Sequence, residues 1–148
     1  ITSRNFGESA IAAESAKFTM AYTKVGVTPD GTSSYFVSRH IGVRRMLDLT
    51  LTNRTLSAAE AEQWGLVNRV VPDAEVDAAT AELAQQFASG PAWALGQAKR
   101  LVYAGFESSL ETAGELEGAV ISAAMATHGG REGIAAFVEK RSPSFEGR

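Results

Sequence analysis

The chain has 148 residues, 45% hydrophobic and 21% charged, with a net charge of −3 at pH 7. These values fit one globular domain with a sizeable core and give no reason to expect nucleic acid or an anionic membrane as partner. Without cysteine there are no disulfides or thiolate metal sites, which fits a reducing compartment and makes the cytoplasm the expected location; no 18-residue apolar run or basic-then-apolar leader suggests a membrane span or signal peptide.

Residues 1–10 begin at Ile1 and show no clean period, so they read as a cut, processed or replaced edge. Ile11, Ala12 and Ala13 suggest a short strand near residues 10–13, although so short a run is also compatible with a helix. Pro29-Asp30-Gly31 is a turn. Helical patterns follow, one carrying Tyr35, Phe36, Ile41 and Val43, the next Met46, Leu47, Leu49 and Leu51. Ser57-Ala58-Ala59-Glu60 has the form of a capping box, and Gly65 after Trp64 supplies the left-handed stop of a helix about two turns long. Residues 66–71 read as a strand closed by Pro72.

A helical tail completes the pattern. Asp73 is placed to cap a helix with Val76, Ala79, Leu83 and Phe87 on one face. Gly90-Pro91 separates it from a helix marked by Leu95, Val102 and Phe106, with Pro91 in the first turn. Ser108-Ser109-Leu110-Glu111 offers a second capping box for a long segment carrying Leu116, Val120, Ile121 and Met125. Gly129-Gly130 breaks the chain before a last helix with Ile134, Phe137 and Val138. The chain is therefore mostly α with a few short strands.

Asp30 is the one acidic residue of the first half in so constrained a setting, between Pro29 and Gly31-Thr32-Ser33-Ser34. From the residues alone it reads first as a cap for a helix starting at Gly31 and second as a catalytic carboxylate. His40 and His128 lie far apart with no paired ligand, so no metal motif is present. Ser33, Ser34, His40 and Asp48 include the residue types of a nucleophilic triad only by coincidence of composition. Trp64 and Trp93 read as core or interface residues, and Glu14 as part of a solvated turn.

Several motifs together resemble the crotonase (enoyl-CoA hydratase/isomerase) superfamily. They are residues 11–18, Gly26-Val27-Thr28-Pro29-Asp30-Gly31, residues 56–61, Trp64-Gly65-Leu66-Val67-Asn68 and residues 132–141, in the family's order. The resemblance covers nearly the whole chain but only the C-terminal half of a crotonase subunit. It implies an α/β crotonase (ClpP/crotonase-like) fold. Residues 1–72 would be the C-terminal part of the core with the acyl-CoA site turn, and residues 73–148 a helical oligomerisation region.

The resemblance further implies an acyl-CoA thioester as ligand, a homotrimer or hexamer, and no metal or redox cofactor, coenzyme A being part of the substrate. Asp30 matches the general acid/base of the isomerase branch and the nucleophile of the aryl-CoA dehalogenases. Where hydratases carry a second catalytic glutamate this chain has Tyr22, and neutral phenol is a poor substitute for activating water. Isomerisation by one aspartate is therefore favoured over hydration. Tyr22 and Gly31 fall to the substrate site, although Thr32 stands where many members have a second glycine.

Phe137 and Lys140 match the family's adenine-side phenylalanine and phosphate-binding lysine, and a three-residue helical step would put both on one face. Arg141 is a weaker phosphate candidate. The family's N-terminal half supplies the oxyanion-hole N–H groups, each worth about 10²–10³ in turnover. A catalytically silent helical module is thus the alternative expectation, with aryl-CoA ring-epoxide isomerisation or dehalogenation as a third.

Overall fold

The computed structural model describes residues 9–145, so the irregular edge expected over residues 1–10 lies almost wholly outside the described residues. Contacts divide the chain into two compact units, residues 1–80 and 81–148.

In the first unit, β1 (Ile11–Ala13) runs parallel to β4 (Arg69–Val71), with Ala12 opposite Val70. β2 (Lys17–Thr19) runs antiparallel to β3 (Thr55–Ser57), with Phe18 opposite Leu56. Strand β1 stands where the sequence suggests it. The strand expected over 66–71 shrinks to three residues, because the amides of Leu66 and Val67 bond to the Ala61 carbonyl at 2.8 and 3.3 Å and close a helix end instead. Strands β2 and β3 were not expected. Each contributes one apolar side chain, Phe18 or Leu56, too little to show a period of two.

Helices α1 (Ser33–Ile41) and α2 (Val43–Thr52) follow the turn and meet at Gly42, where φ is 83°. Val37, Ile41, Met46 and Leu49 bury against Ala12, Met20 and Leu56, which form the core of this unit. α3 (Ala58–Trp64) has the expected capping box: Glu60 N donates to Ser57 Oγ at 3.3 Å, and Ser57 N to Glu60 Oε2 at 3.0 Å. Gly65, at φ 77°, ends it. Trp64 is half-buried, with the guanidinium groups of Arg45 and Arg54 over its ring at 5.0 and 4.6 Å. Glu14 lies exposed in the turn between β1 and β2.

Asp73 does not cap a helix. Its carboxylate accepts from the Ser15 amide at 3.2 Å and from the Ser15 hydroxyl, tying the β1–β2 turn to the chain after β4. A single 3-10 turn, Asp73–Glu75, precedes α4 (Val76–Ala88). On that helix Ala79 is buried, Val76 and Leu83 are half-buried and Phe87 is exposed.

The second unit is built on α5 (Ala92–Gly105), α6 (Leu110–Ala126) and α7 (His128–Glu139), packed pairwise. Pro91 is the N-cap of α5 rather than part of its first turn. Ser109, one residue later than expected, caps α6 by accepting from Thr112 N at 3.2 Å, so no Ser108–Glu111 box forms. The break between α6 and α7 falls at Thr127, whose Oγ1 accepts from Gly130 N at 3.0 Å; Gly129 and Gly130 belong to the first turn of α7. Among the described residues of this unit only Gly129 and Ala136 are buried. Phe106, Leu110, Ile121, Met125, Ile134, Phe137 and Val138 are all exposed. No helix among the described residues is long and apolar enough to cross a membrane.

Candidate active site

The stretch from Met20 to Ser33 builds the site. Met20, 2% exposed, anchors the end of β2 in the core. Tyr22 packs half-buried against that core, and its carbonyl accepts from the amides of Val25 and Val27, both at 3.1 Å. The 3-10 turn Thr23–Val25 is fastened to the end of α2. Thr23 Oγ1 donates to the Thr50 carbonyl at 2.5 Å, and Lys24 N donates to Asn53 Oδ1 at 3.1 Å. Tyr22 is therefore held by its ring on one side and by its backbone on the other.

The Pro29-Asp30-Gly31 turn folds back beside it. The Asp30 carbonyl accepts from Ser33 N at 3.0 Å and Ser33 Oγ at 2.7 Å, and Ser33 is 3% exposed. Gly31 and Thr32 both take positive φ, 56° and 61°. For glycine that costs nothing, but for a β-branched threonine it is strained. Thr32 is the N-cap of α1 without a side-chain cap bond; its hydroxyl bonds to the Gly31 carbonyl at 2.5 Å.

Helix α1 starts at Ser33, not Gly31. The side chain of Asp30 is engaged with Tyr22 instead. The Asp30 carboxylate lies close enough to the Tyr22 hydroxyl that this interaction, with some burial, holds the phenol above its ordinary pKa of 10.0. The neighbouring Ser33 and the Asp30 backbone act weakly in the other direction. The physical outcome is a phenol that stays protonated beside an exposed carboxylate. Tyr22, Asp30 and Ser33 thus form one cluster with an open side. Sequence reading missed Ser33 as a member; its signal is the three-residue spacing from Asp30, which lets a serine close a turn onto the aspartate carbonyl.

Phe137 and Lys140 belong to the second unit. Phe137 is 85% exposed on α7. Lys140 is not on that helix: it is the left-handed cap at φ 54°, with its amide donating to the Phe137 carbonyl at 3.3 Å. The same-face argument from a three-residue helical step therefore does not hold. Arg141 is occupied by carboxylates. Nη1 and Nη2 lie 2.6 and 2.9 Å from the Glu132 oxygens, and Nε lies 2.6 Å from Glu139 Oε2. Among the described residues no three His, Asp or Glu side chains gather as a metal site.

The model of the enoyl-CoA hydratase/isomerase family matches residues 6–148. The chain belongs to that family. Its sequence is 36% identical to the 1,2-epoxyphenylacetyl-CoA isomerase of Escherichia coli, across 96% of this chain and 54% of that protein. It is 42% identical to a probable enoyl-CoA hydratase of Mycobacterium bovis, across 93% of this chain and 54% of that one. Its fold superposes on the enoyl-CoA hydratase of Bacillus anthracis with a TM-score of 0.88 at 33% identity, covering 95% of this chain and 55% of the other. The fold is thus part of the crotonase fold, as the motifs imply. This crotonase-family chain spans about half the length of the curated relatives it matches.

Proposed function

We propose that this crotonase-family chain contributes to an acyl-CoA site whose chemistry is isomerisation of an enoyl thioester by a single aspartate. The observation that carries the reading is the pairing of Asp30 with Tyr22: the residue facing the carboxylate is a neutral hydrogen-bond donor, not a second carboxylate. One base moves a proton between two carbons of the same substrate. The Asp30 carboxylate takes a proton from a carbon made acidic by the thioester, and the C–H electron pair passes into the conjugated system and onto the thioester oxygen. The electrons then return to form the shifted double bond as Asp30 delivers the proton to the other carbon. Tyr22 steadies the Asp30 carboxylate through this cycle. Hydration needs a further carboxylate to activate water, and Tyr22 stands in its place.

Phe137 and Lys140 are the proposed contacts for the nucleotide end of coenzyme A, Lys140 with a phosphate. The exposed apolar side chains on α5, α6 and α7 support self-association as a trimer or hexamer. The test is double-bond migration followed on enoyl-CoA substrates. Asp30→Asn is expected to lower turnover by roughly 10²–10⁴-fold, the usual share of general acid/base catalysis, while thioester binding persists. Equal rates for Asp30→Asn and the parent chain, or no binding of any CoA thioester, would refute the reading. A second reading, ring-epoxide isomerisation on an aryl-CoA, is favoured by the match to the Escherichia coli protein across nearly the whole chain. It uses the same aspartate, and turnover of an epoxide thioester in place of an enoyl one distinguishes it.

A further inference from the structure

Lys140 sits in a backbone conformation that lysine does not favour, and the surrounding residues hold it there. Helix α7 stops at Glu139, and Lys140 adopts φ 54°. Left-handed backbone costs a residue with a Cβ roughly 1–2 kcal/mol, so something must fix the turn. Part of the answer is backbone closure: Arg141 N donates to the Ala136 carbonyl at 3.0 Å. A second part is a clamp on the next side chain. Arg141 forks onto both oxygens of Glu132 and also reaches Glu139. Glu132 Oε1 accepts in addition from Ser144 N at 2.8 Å, so one carboxylate on α7 holds the chain after the turn at two points.

The clamp also arranges charge. Segment 132–141 holds the carboxylates Glu132 and Glu139, both paired with Arg141. Lys140 lies between Glu139 and Arg141 in sequence and has no ion pair among the described residues. Arg141 therefore pairs with the acid adjacent to Lys140 in sequence, Glu139, and with Glu132 earlier on α7.

We infer that Glu132 and Arg141 are positioning residues that fix the left-handed turn at Lys140 and keep its ammonium available for a phosphate. The inference rests on the reading of Lys140 as a coenzyme A phosphate contact and assigns the parts that make it competent. Arg141, weighed from sequence as a phosphate ligand, acts on the ligand only through its neighbour.

The test is a titration of the full chain with a CoA thioester and with the matching 3′-dephospho-CoA thioester. Lys140→Met is expected to weaken the CoA thioester by roughly tenfold, the scale of a charged hydrogen bond. Glu132→Gln and Arg141→Gln are expected to weaken it by roughly threefold, the scale of an exposed charge interaction. Neither should alter the dephospho compound. The double variant Lys140→Met/Arg141→Gln is expected to bind no more weakly than Lys140→Met alone, since Arg141 acts only through Lys140. Thermal unfolding of each variant separates loss of the turn from loss of the fold. If Lys140→Met leaves binding unchanged, the phosphate reading fails and takes the inference with it. If Lys140→Met weakens binding but Glu132→Gln and Arg141→Gln do not, or if their losses add to that of Lys140→Met, the positioning role alone is overturned.

Discussion

Replacing Gly130 by alanine tests how α7 is seated against α6. A Cβ at Gly130 would lie 2.0 Å from the Ala124 carbonyl oxygen, 2.8 Å from its carbon and 3.1 Å from the Met125 Cα. All three are backbone atoms, so no rotamer change relieves the clash; α7 has to move off the end of α6 by roughly 1 Å or more in a closely packed junction. Overpacking of this kind costs about 1–3 kcal/mol and more when backbone must shift, while alanine gives back about 1 kcal/mol of helix propensity. A net loss of about 2 kcal/mol is expected. Gly114, within α6, is the control, because its Cβ would have no atom within 4 Å. There the same substitution should stabilise by about 0.5–1 kcal/mol. Urea unfolding measures both, read from midpoints at constant slope. Equal stability of Gly130→Ala and the parent, or a shift of both variants in the same direction, would refute the packing argument. Since α7 carries Phe137 and leads into Lys140, Gly130→Ala should also weaken thioester binding.

Three further outcomes follow from the same geometry. Leu56 is fully buried opposite Phe18, so Leu56→Ala should cost about 3 kcal/mol by transfer and cavity terms; a loss under about 1 kcal/mol would mean the site collapses around the smaller residue. Glu132 is held at a pKa of about 2, down from 4.5, chiefly by Arg141 and then by the Ser144 amide. The stabilisation of that turn is complete above the unfolded value near 4.5 and is lost as pH falls through about 2. Protection of the Ser144 amide, taken relative to its intrinsic exchange rate, should fall over that window and stay unchanged there in Glu132→Gln. Thr32→Gly should be neutral or stabilising by up to about 1 kcal/mol, relief of left-handed strain offsetting the entropy of glycine; a clear loss of stability would show that the Thr32 hydroxyl bond to Gly31 outweighs the strain.

Local chemistry accounts for what could be read along the chain. The α3 capping box and the Gly65 stop involve residues a few positions apart, so their bonds form wherever the segment goes. The Asp73 and Ser108 caps were misread because a competing partner lay elsewhere. Asp73 is drawn to Ser15, 58 residues away, and Ser109 is one step nearer the helix than Ser108. Strands β2 and β3 were illegible because three-residue strands owe their existence to each other and not to their own pattern.

The sequence by itself determined the family, the mostly helical character and the turn that presents Asp30, because each is written in short-range motifs and their order. Tertiary structure decided which partner each polar group takes. Asp30 faces Tyr22 rather than a helix end, Arg141 is spent on Glu132 and Glu139, and Lys140 leaves the helix that its spacing placed it on. Those choices depend on how the chain turns between residues and on where a helix is made to stop, and the folded backbone with its polar contacts sets both.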